Sequence, residues 1–200
     1  MLTVLGIGGA VLGIVQSPKE SGLRAAVTNT LAASNYTEDL SEVTSQANQS
    51  EHLVFEAPNR LAGYVQSGAK RQYVVIIGSV AYQTGVVSTS TPTDKLVFKK
   101  QATGEPNAAV SSDPVHTDLP FVKKAKNVKQ DGDVSTFTLT QQGGVELFHV
   151  TVAGQFVSDL SVTATAGRLH LAISSINGSP SVQVPTGAKV SSSSGSSSAG

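Results

Sequence analysis

The sequence predicts a mostly β domain of the α+β class, a curved antiparallel half-barrel of about 10 to 11 strands, and three observations support this. Ser, Thr, Val and Gly are abundant among the 200 residues, and only 14% of residues are charged, a mixture typical of strands and turns. From residue 36 onward, apolar residues alternate with polar ones at period two. Gly, Asn and Asp recur between these segments, as in antiparallel strands joined by turns.

The strands are predicted from this alternation and from the turn residues that interrupt it. A single domain is expected over 17–190. The tail, 191–200, contains only Ser, Gly and Ala, so it cannot bury enough apolar surface to fold and is expected to be flexible. The predicted strands lie near 36–45, 51–57, 60–67, 71–79, 80–87, 94–101, 134–141, 145–153, 156–164, 168–175 and 181–184.

Two helical segments are predicted from capping residues, and they are expected to cover the open, apolar side of the sheet. Ser17 followed by Pro18 is typical of a helix start, and apolar residues at helical spacing continue to about Ala33. Asp113 followed by Pro114 predicts a second helix, which Pro120 is expected to kink or divide. The inward positions of the two helices are Leu23, Ala26, Val27, Thr30 and Leu31, and Val115, Leu119, Val122 and Ala125.

The first segment, 1–16, is apolar and Gly-rich and carries no charge. It is too short to span a bilayer comfortably and is typical of an export signal or a membrane-anchor remnant, although basic residues and a clear cleavage site are missing. Gly6 to Gly13 resembles a dinucleotide-binding loop only loosely, because the rest of that motif does not follow. We therefore expect a protein of the cell envelope, either periplasmic or membrane-anchored at the outer face.

The sequence does not display the residue set of an enzyme. The chain has no Cys for a thiolate metal site and no Gly-x-Ser-x-Gly elbow. Asp131 and Asp133 around Gly132 are interpreted as a polar turn rather than a calcium loop. No cofactor or metal site is expected, and the zero formal net charge argues against nucleic-acid binding. Four histidines lie far apart in the sequence: His52, His116, His149 and His170. His149 and His170 are interpreted as solvated or satisfied strand residues rather than metal ligands.

The predicted sheet has a larger apolar face than two short helices can cover. Either the sheet closes on its own side chains, or a cavity remains for an apolar ligand, and these two alternatives stay open. Apolar side chains of the predicted strands are the candidate cavity walls: Leu53, Phe55, Val75, Ile77, Phe98, Phe137, Leu139, Leu147, Leu169, Leu171 and Ile173.

The order of elements resembles that of a known family. An apolar start, a helix, six strands, a helical interruption and a final run of strands ending at 179–185 are similar to the envelope carriers of the LolA and LppX/LprG type, the actinobacterial lipoproteins in particular. Residues 74–82, an apolar run followed by a Gly turn and Tyr82, resemble their central hairpin. The resemblance covers about residues 17–190. It departs from the family where Val15-Gln16-Ser17 replaces the acylated Cys.

The resemblance implies a half-barrel around a hydrophobic cavity with helices as its lid. It implies a lipid or acyl chain as ligand, and a membrane transporter or an acceptor lipoprotein as further partners. The function expected is non-catalytic lipid binding for transport or sensing. The alternative is a structural or adhesive surface domain with a filled core, and a hydrolase or lectin-like enzyme would need a polar cluster that the sequence does not display.

Overall fold

The computed structural model describes residues 17–141, 144–185 and 189–192. The expected signal or anchor segment, 1–16, lies outside the described residues, as do residues 193–200 of the expected tail. None of the helices in the described ranges is long and apolar enough to cross a membrane.

Both predicted helices form. The Ser17 hydroxyl accepts a hydrogen bond from the backbone N–H of Glu20 at 3.3 Å, and the Asp113 carboxylate accepts one from the N–H of Val115 at 3.2 Å, so both N-caps are confirmed. A third, single-turn helix was not predicted. The described helices are α1 (Pro18–Leu31), α2 (Ala108–Ser111) and α3 (Pro114–Val122), with a 3-10 turn at Thr93–Lys95.

Most strands lie close to the ranges predicted from the alternation of apolar and polar residues. Three short strands lack this alternation. The strands in the described residues are β1 (Asn35–Thr44), β2 (Asn48–Glu56), β3 (Arg60–Ser67), β4 (Lys70–Ile77), β5 (Val80–Thr84), β6 (Val87–Ser88), β7 (Val97–Ala102), β8 (Lys129–Asp131), β9 (Val134–Gln141), β10 (Gly144–Ala153), β11 (Phe156–Ala164), β12 (Gly167–Ser174) and β13 (Lys189–Ser192).

All these strands join in one sheet. The order of neighbours is β13, β7, β5, β4, β3, β2, β1, β12, β11, β10, β9, β8, and β6 pairs with β4. Only β13 pairs in parallel, with β7, among the described pairings. Within the described residues no pairing joins the end strands β8 and β13, so the sheet does not close into a barrel. The predicted fold class, a mostly β half-barrel with covering helices, is confirmed.

The two faces of the sheet pack against different parts of the chain. We call the face that packs against the helices the inner face; there Leu23 and Val27 of α1 share one core with Phe55 and Leu171 of the sheet. The opposite, outer face carries a smaller apolar cluster of Val75, Leu96, Phe98 and Val182. Because side chains alternate along a strand, each strand contributes to both faces.

The predicted strand at 181–184 is wrong. Val182 is fully buried in the outer-face cluster, but its backbone bonds to side chains instead of a neighbouring strand. Its N–H donates to Glu56 Oε2 at 2.8 Å, and its carbonyl accepts from Arg60 Nη1 at 3.2 Å. These two side chains satisfy the polar backbone groups that a strand partner would otherwise satisfy.

Candidate functional site

The inner face holds two open grooves at the margins of α3. The first groove crosses β1, β12, β11 and β10 and has a volume of about 260 Å³. Its apolar floor includes Phe148, Leu160, Val162 and Leu169, and Phe121 of α3 forms part of its wall. These strands place apolar side chains at every second position, so a continuous apolar surface results where no helix lies over them.

The second groove crosses the other half of the sheet, from β2 to β5, and its volume is also about 260 Å³. Leu61, Val65, Val74 and Ile76 contribute apolar surface, and Ser112 closes it on the side of the helices. The first groove reaches β1 and the second reaches β2, and these strands are neighbours, so the two grooves occupy neighbouring halves of one curved surface.

Three interacting carboxylates of the paired strands β1 and β2 and of α3 form a group that we call the acidic ridge: Glu42, Glu51 and Asp118. Glu42 and Asp118 line the first groove, and Glu51 lines the second. Burial raises the pKa of Glu51 above its usual value; the charges of Glu42 and Asp118 raise it further, against a hydrogen bond from Gln49. Burial likewise raises the pKa of Asp118, and Asp113 and Glu42 add to that rise. The ridge is thus a partly desolvated concentration of negative charge.

A buried polar group holds α3 against the sheet, and we call it the anchor cluster: Tyr36, Glu38, Asp113 and His116. The Tyr36 hydroxyl donates to Asp113 Oδ2 and lies 2.9 Å from His116 Nδ1, which also contacts Asp113. Glu38 Oε2 accepts from the N–H of Val115 at 3.3 Å. Tyr36, Glu38 and Asp113 are fully buried. The cluster therefore ties the first turn of α3 to β1 from inside the core.

The surroundings of Glu38 and Tyr36 in the anchor cluster favour the protonated form of each side chain. Burial, the negative charge of Asp113 and a hydrogen bond to that carboxylate raise the pKa of Glu38 to about 10. Burial, followed by Asp113, also raises the pKa of Tyr36. Glu38 Oε1 has no hydrogen-bond partner among the described residues, and a proton on Glu38 can be donated to Asp113. We therefore treat Glu38 as neutral.

The histidines differ in their surroundings. His116 lies in the predicted second helix, α3, within the anchor cluster, and its three-residue spacing from Asp113 places the two on one helix face. On the outer face, His52 Nδ1 lies 2.7 Å from Asp39 Oδ1, and His170 contacts Asp159. No group of three potential metal ligands occurs among the residues of the described ranges.

The eleven predicted cavity residues lie in different parts of the structure. Leu53 lines the second groove and Leu169 lines the first. Five others belong to the inner-face core or pack against it: Phe55, Phe137, Leu139, Leu171 and Ile173.

Four of the predicted residues do not lie on the inner face with the rest. Val75 and Phe98 belong to the outer-face cluster and Ile77 packs against it. Leu147 is 37% exposed and lies one residue out of phase with Phe148. These four candidate cavity residues therefore lie on the face opposite the grooves, because a one-residue change of frame moves a strand side chain to the opposite face.

Several groove residues were missed by the sequence analysis. Val74 and Ile76 line the second groove, in place of the predicted Val75 and Ile77. The run from 74 to 77 is apolar throughout, so alternation could not indicate its frame. The cross-strand register indicates this frame, because Ile76 lies opposite Leu61, and Leu61 is buried.

Comparison with known proteins gives a structural match without a sequence match. No protein-family model matches the chain, and no curated protein does so at a significant level. LprF from Mycobacterium bovis superposes with a TM-score of 0.56 at 11% identity, covering 85% of this chain and 98% of LprF. Lipoprotein LppX from Mycobacterium tuberculosis gives 0.52 at 12% identity, covering 84% of this chain and 100% of LppX. The predicted LppX/LprG-like resemblance is confirmed at the level of the fold, which this chain shares with these mycobacterial proteins.

Proposed function

We propose that the protein binds a lipid or acyl chain in the two inner-face grooves and acts without catalysis, as a carrier or sensor in the cell envelope. The observation that carries the proposal is the pair of open apolar grooves on a sheet face that the helices leave partly uncovered. The shared fold with LprF and lipoprotein LppX supports it.

Burial of apolar ligand surface supplies the binding free energy. Each methylene group that leaves water contributes about 0.8 kcal/mol, so a few methylenes in one groove suffice for measurable affinity. Each groove, at about 260 Å³, is slightly smaller than the roughly 300 Å³ at which drug-sized ligand sites begin. A flexible chain laid along an open groove suits this size better than a compact ligand.

The polar groups of the inner face support a binding role more than a catalytic one. The anchor cluster is buried, and its members bond to each other and to the backbone of α3. The packed core between α1, α3 and the sheet favours the alternative, a structural or adhesive domain with a filled core. That alternative does not account for the two open grooves. A membrane transporter or an acceptor lipoprotein remains the proposed further partner.

The test is the uptake of a pyrene-labelled acyl chain, together with native mass spectrometry of protein purified from its own host. Val162→Trp places an indole in the first groove, and we expect it to weaken uptake by about tenfold, equivalent to about 1.4 kcal/mol. Thr163→Trp is the matched control, because Thr163 is the next residue of β11 and is exposed on the outer face.

Unchanged uptake by Thr163→Trp together with weakened uptake by Val162→Trp is the expected pattern. A wild-type protein that neither copurifies with lipid nor takes up the labelled chain would overturn the proposal in favour of the structural alternative.

A further inference from the structure

The acidic ridge bears on which amphiphiles the grooves accept. Glu42 and Asp118 line the first groove and Glu51 lines the second, with Glu42 and Glu51 on the paired strands β1 and β2. A ligand whose chain fills either groove therefore has at least one of these carboxylates beside it. A further carboxylate, Glu146, lines the first groove, so this groove carries three carboxylates against one arginine, Arg168.

The nearby cations do not neutralise the ridge. Arg168 lines the first groove, and the Lys124 ammonium stacks on the ring of Phe121 with its Nζ 4.7 Å from the centroid. Among the described residues, no salt bridge joins either cation to Glu42, Glu51 or Asp118. The carboxylates therefore outweigh the cations along the β1–β2 pair, and the field there is negative.

We propose that the grooves select amphiphiles whose head group carries no negative charge, because the acidic ridge repels an anionic head placed between the two apolar surfaces. The inference rests on the proposed function, since it concerns the same grooves. Repulsion between like charges in a partly desolvated site is stronger than in bulk water and is reduced by salt. The ridge therefore rejects anionic amphiphiles, while the apolar floor binds the chain of any amphiphile alike.

The experiment compares three probes with the same lauryl chain and different heads. Monolauroylglycerol is neutral, lauryl trimethylammonium is cationic and lauryl sulfate is anionic at all accessible pH values. Each displaces the pyrene-labelled chain below its critical micelle concentration. We expect lauryl sulfate to bind at least about tenfold more weakly than monolauroylglycerol, and this ratio to shrink as ionic strength rises.

Variants assign the discrimination to the ridge. In Glu42→Gln/Asp118→Asn, the ratio of the anionic to the neutral dissociation constant is expected to fall to within about threefold. Asp94→Asn, in the exposed 3-10 turn, removes one acidic charge elsewhere and is expected to keep the wild-type ratio. Circular dichroism and thermal melts establish that each variant is folded.

The two proposals fail in different ways. If the neutral, cationic and anionic probes bind wild-type protein equally, or the anionic probe binds best, the head-group inference is overturned and the lipid-binding proposal stands. A ratio that survives in Glu42→Gln/Asp118→Asn also overturns it. If no probe displaces the labelled chain at all, the proposed function itself fails.

Discussion

Glu38 is a fully buried carboxyl group whose proton links the stability of the fold to pH. Its pKa rises from 4.5 to about 10 on folding, with burial as the largest cause. Below about pH 4.5 both states hold the proton, whereas between the two values the folded state alone holds it. Its contribution to stability is therefore complete at low pH and is lost as pH rises through this window.

We expect Glu38→Gln to remove this pH dependence. A glutamine amide can accept from the Val115 N–H and donate to Asp113 without a titrating proton. The free energy of unfolding of the variant relative to wild type should rise with pH, by up to about 1.4 kcal/mol per pH unit between roughly pH 5 and pH 8. Urea unfolding at several pH values measures this difference.

Asp131→Asn, at the exposed end of β8, is the control and should follow the wild-type pH profile. Parallel pH profiles for wild type and Glu38→Gln would show that Glu38 does not titrate as inferred.

The anchor cluster also shows what could be predicted for single residues. The role of Asp113 as a helix cap followed from its place before Pro114, which is local information. Its contacts with Tyr36 and Glu38 join residues about 75 positions apart along the chain, and no local pattern indicates such a meeting. The polar cluster was missed because its members come together only when α3 packs on β1.

At the scale of elements, the β2–β3 pair depends on a close backbone approach at Gly63. A Cβ added there would lie 1.9 Å from the carbonyl oxygen of His52, well inside van der Waals contact. Because His52 lies in the paired strand β2, neither chain can move without disturbing the hydrogen bonds of the pair.

Gly63→Ala is expected to destabilise the protein by about 2 to 4 kcal/mol, because the methyl group forces the two strands apart. Gly22→Ala is the matched control: Gly22 lies in α1 with open space around its Cα, and the same substitution there should stabilise the protein by about 0.5 to 1 kcal/mol. Thermal and urea unfolding measure both. Equal effects at the two glycines would contradict the close approach seen in the sheet.

For strands, prediction succeeded where polar residues mark the frame and failed where they do not. β12 alternates clearly, and its predicted Leu169, Leu171 and Ile173 all face the inner side. In β4 the residues from 74 to 77 are all apolar, so alternation could not indicate which of them face inward. Val75 and Ile77 were therefore predicted to line the cavity, whereas Val74 and Ile76 line the second groove.

At the scale of the whole molecule, two apolar layers lie on opposite faces of one sheet, and only one of them carries the grooves proposed to bind ligand. The outer-face cluster of Val75, Leu96, Phe98 and Val182 joins the segment around 182 to the sheet. The grooves lie on the other face. Stability and ligand binding should therefore respond to different substitutions.

Phe98→Ala is expected to cost about 3 to 5 kcal/mol of stability, because it leaves a cavity at a buried ring, and to leave uptake of the labelled chain unchanged. Leu169→Ala, at a half-buried position in the first groove, should cost less stability and weaken uptake by several-fold. Urea unfolding and the displacement assay give the two readouts. Loss of binding in folded Phe98→Ala would contradict the assignment of this ring to the outer face.

The class of the fold, both main helices with their caps, and most strand limits follow from the sequence, because capping, turn residues and alternation act between near neighbours. The tertiary structure alone establishes which face each strand turns inward, that two grooves stay open beside α3, and that Glu42, Glu51 and Asp118 lie close enough to interact. These features depend on register and packing between segments far apart in the chain, which no local pattern encodes.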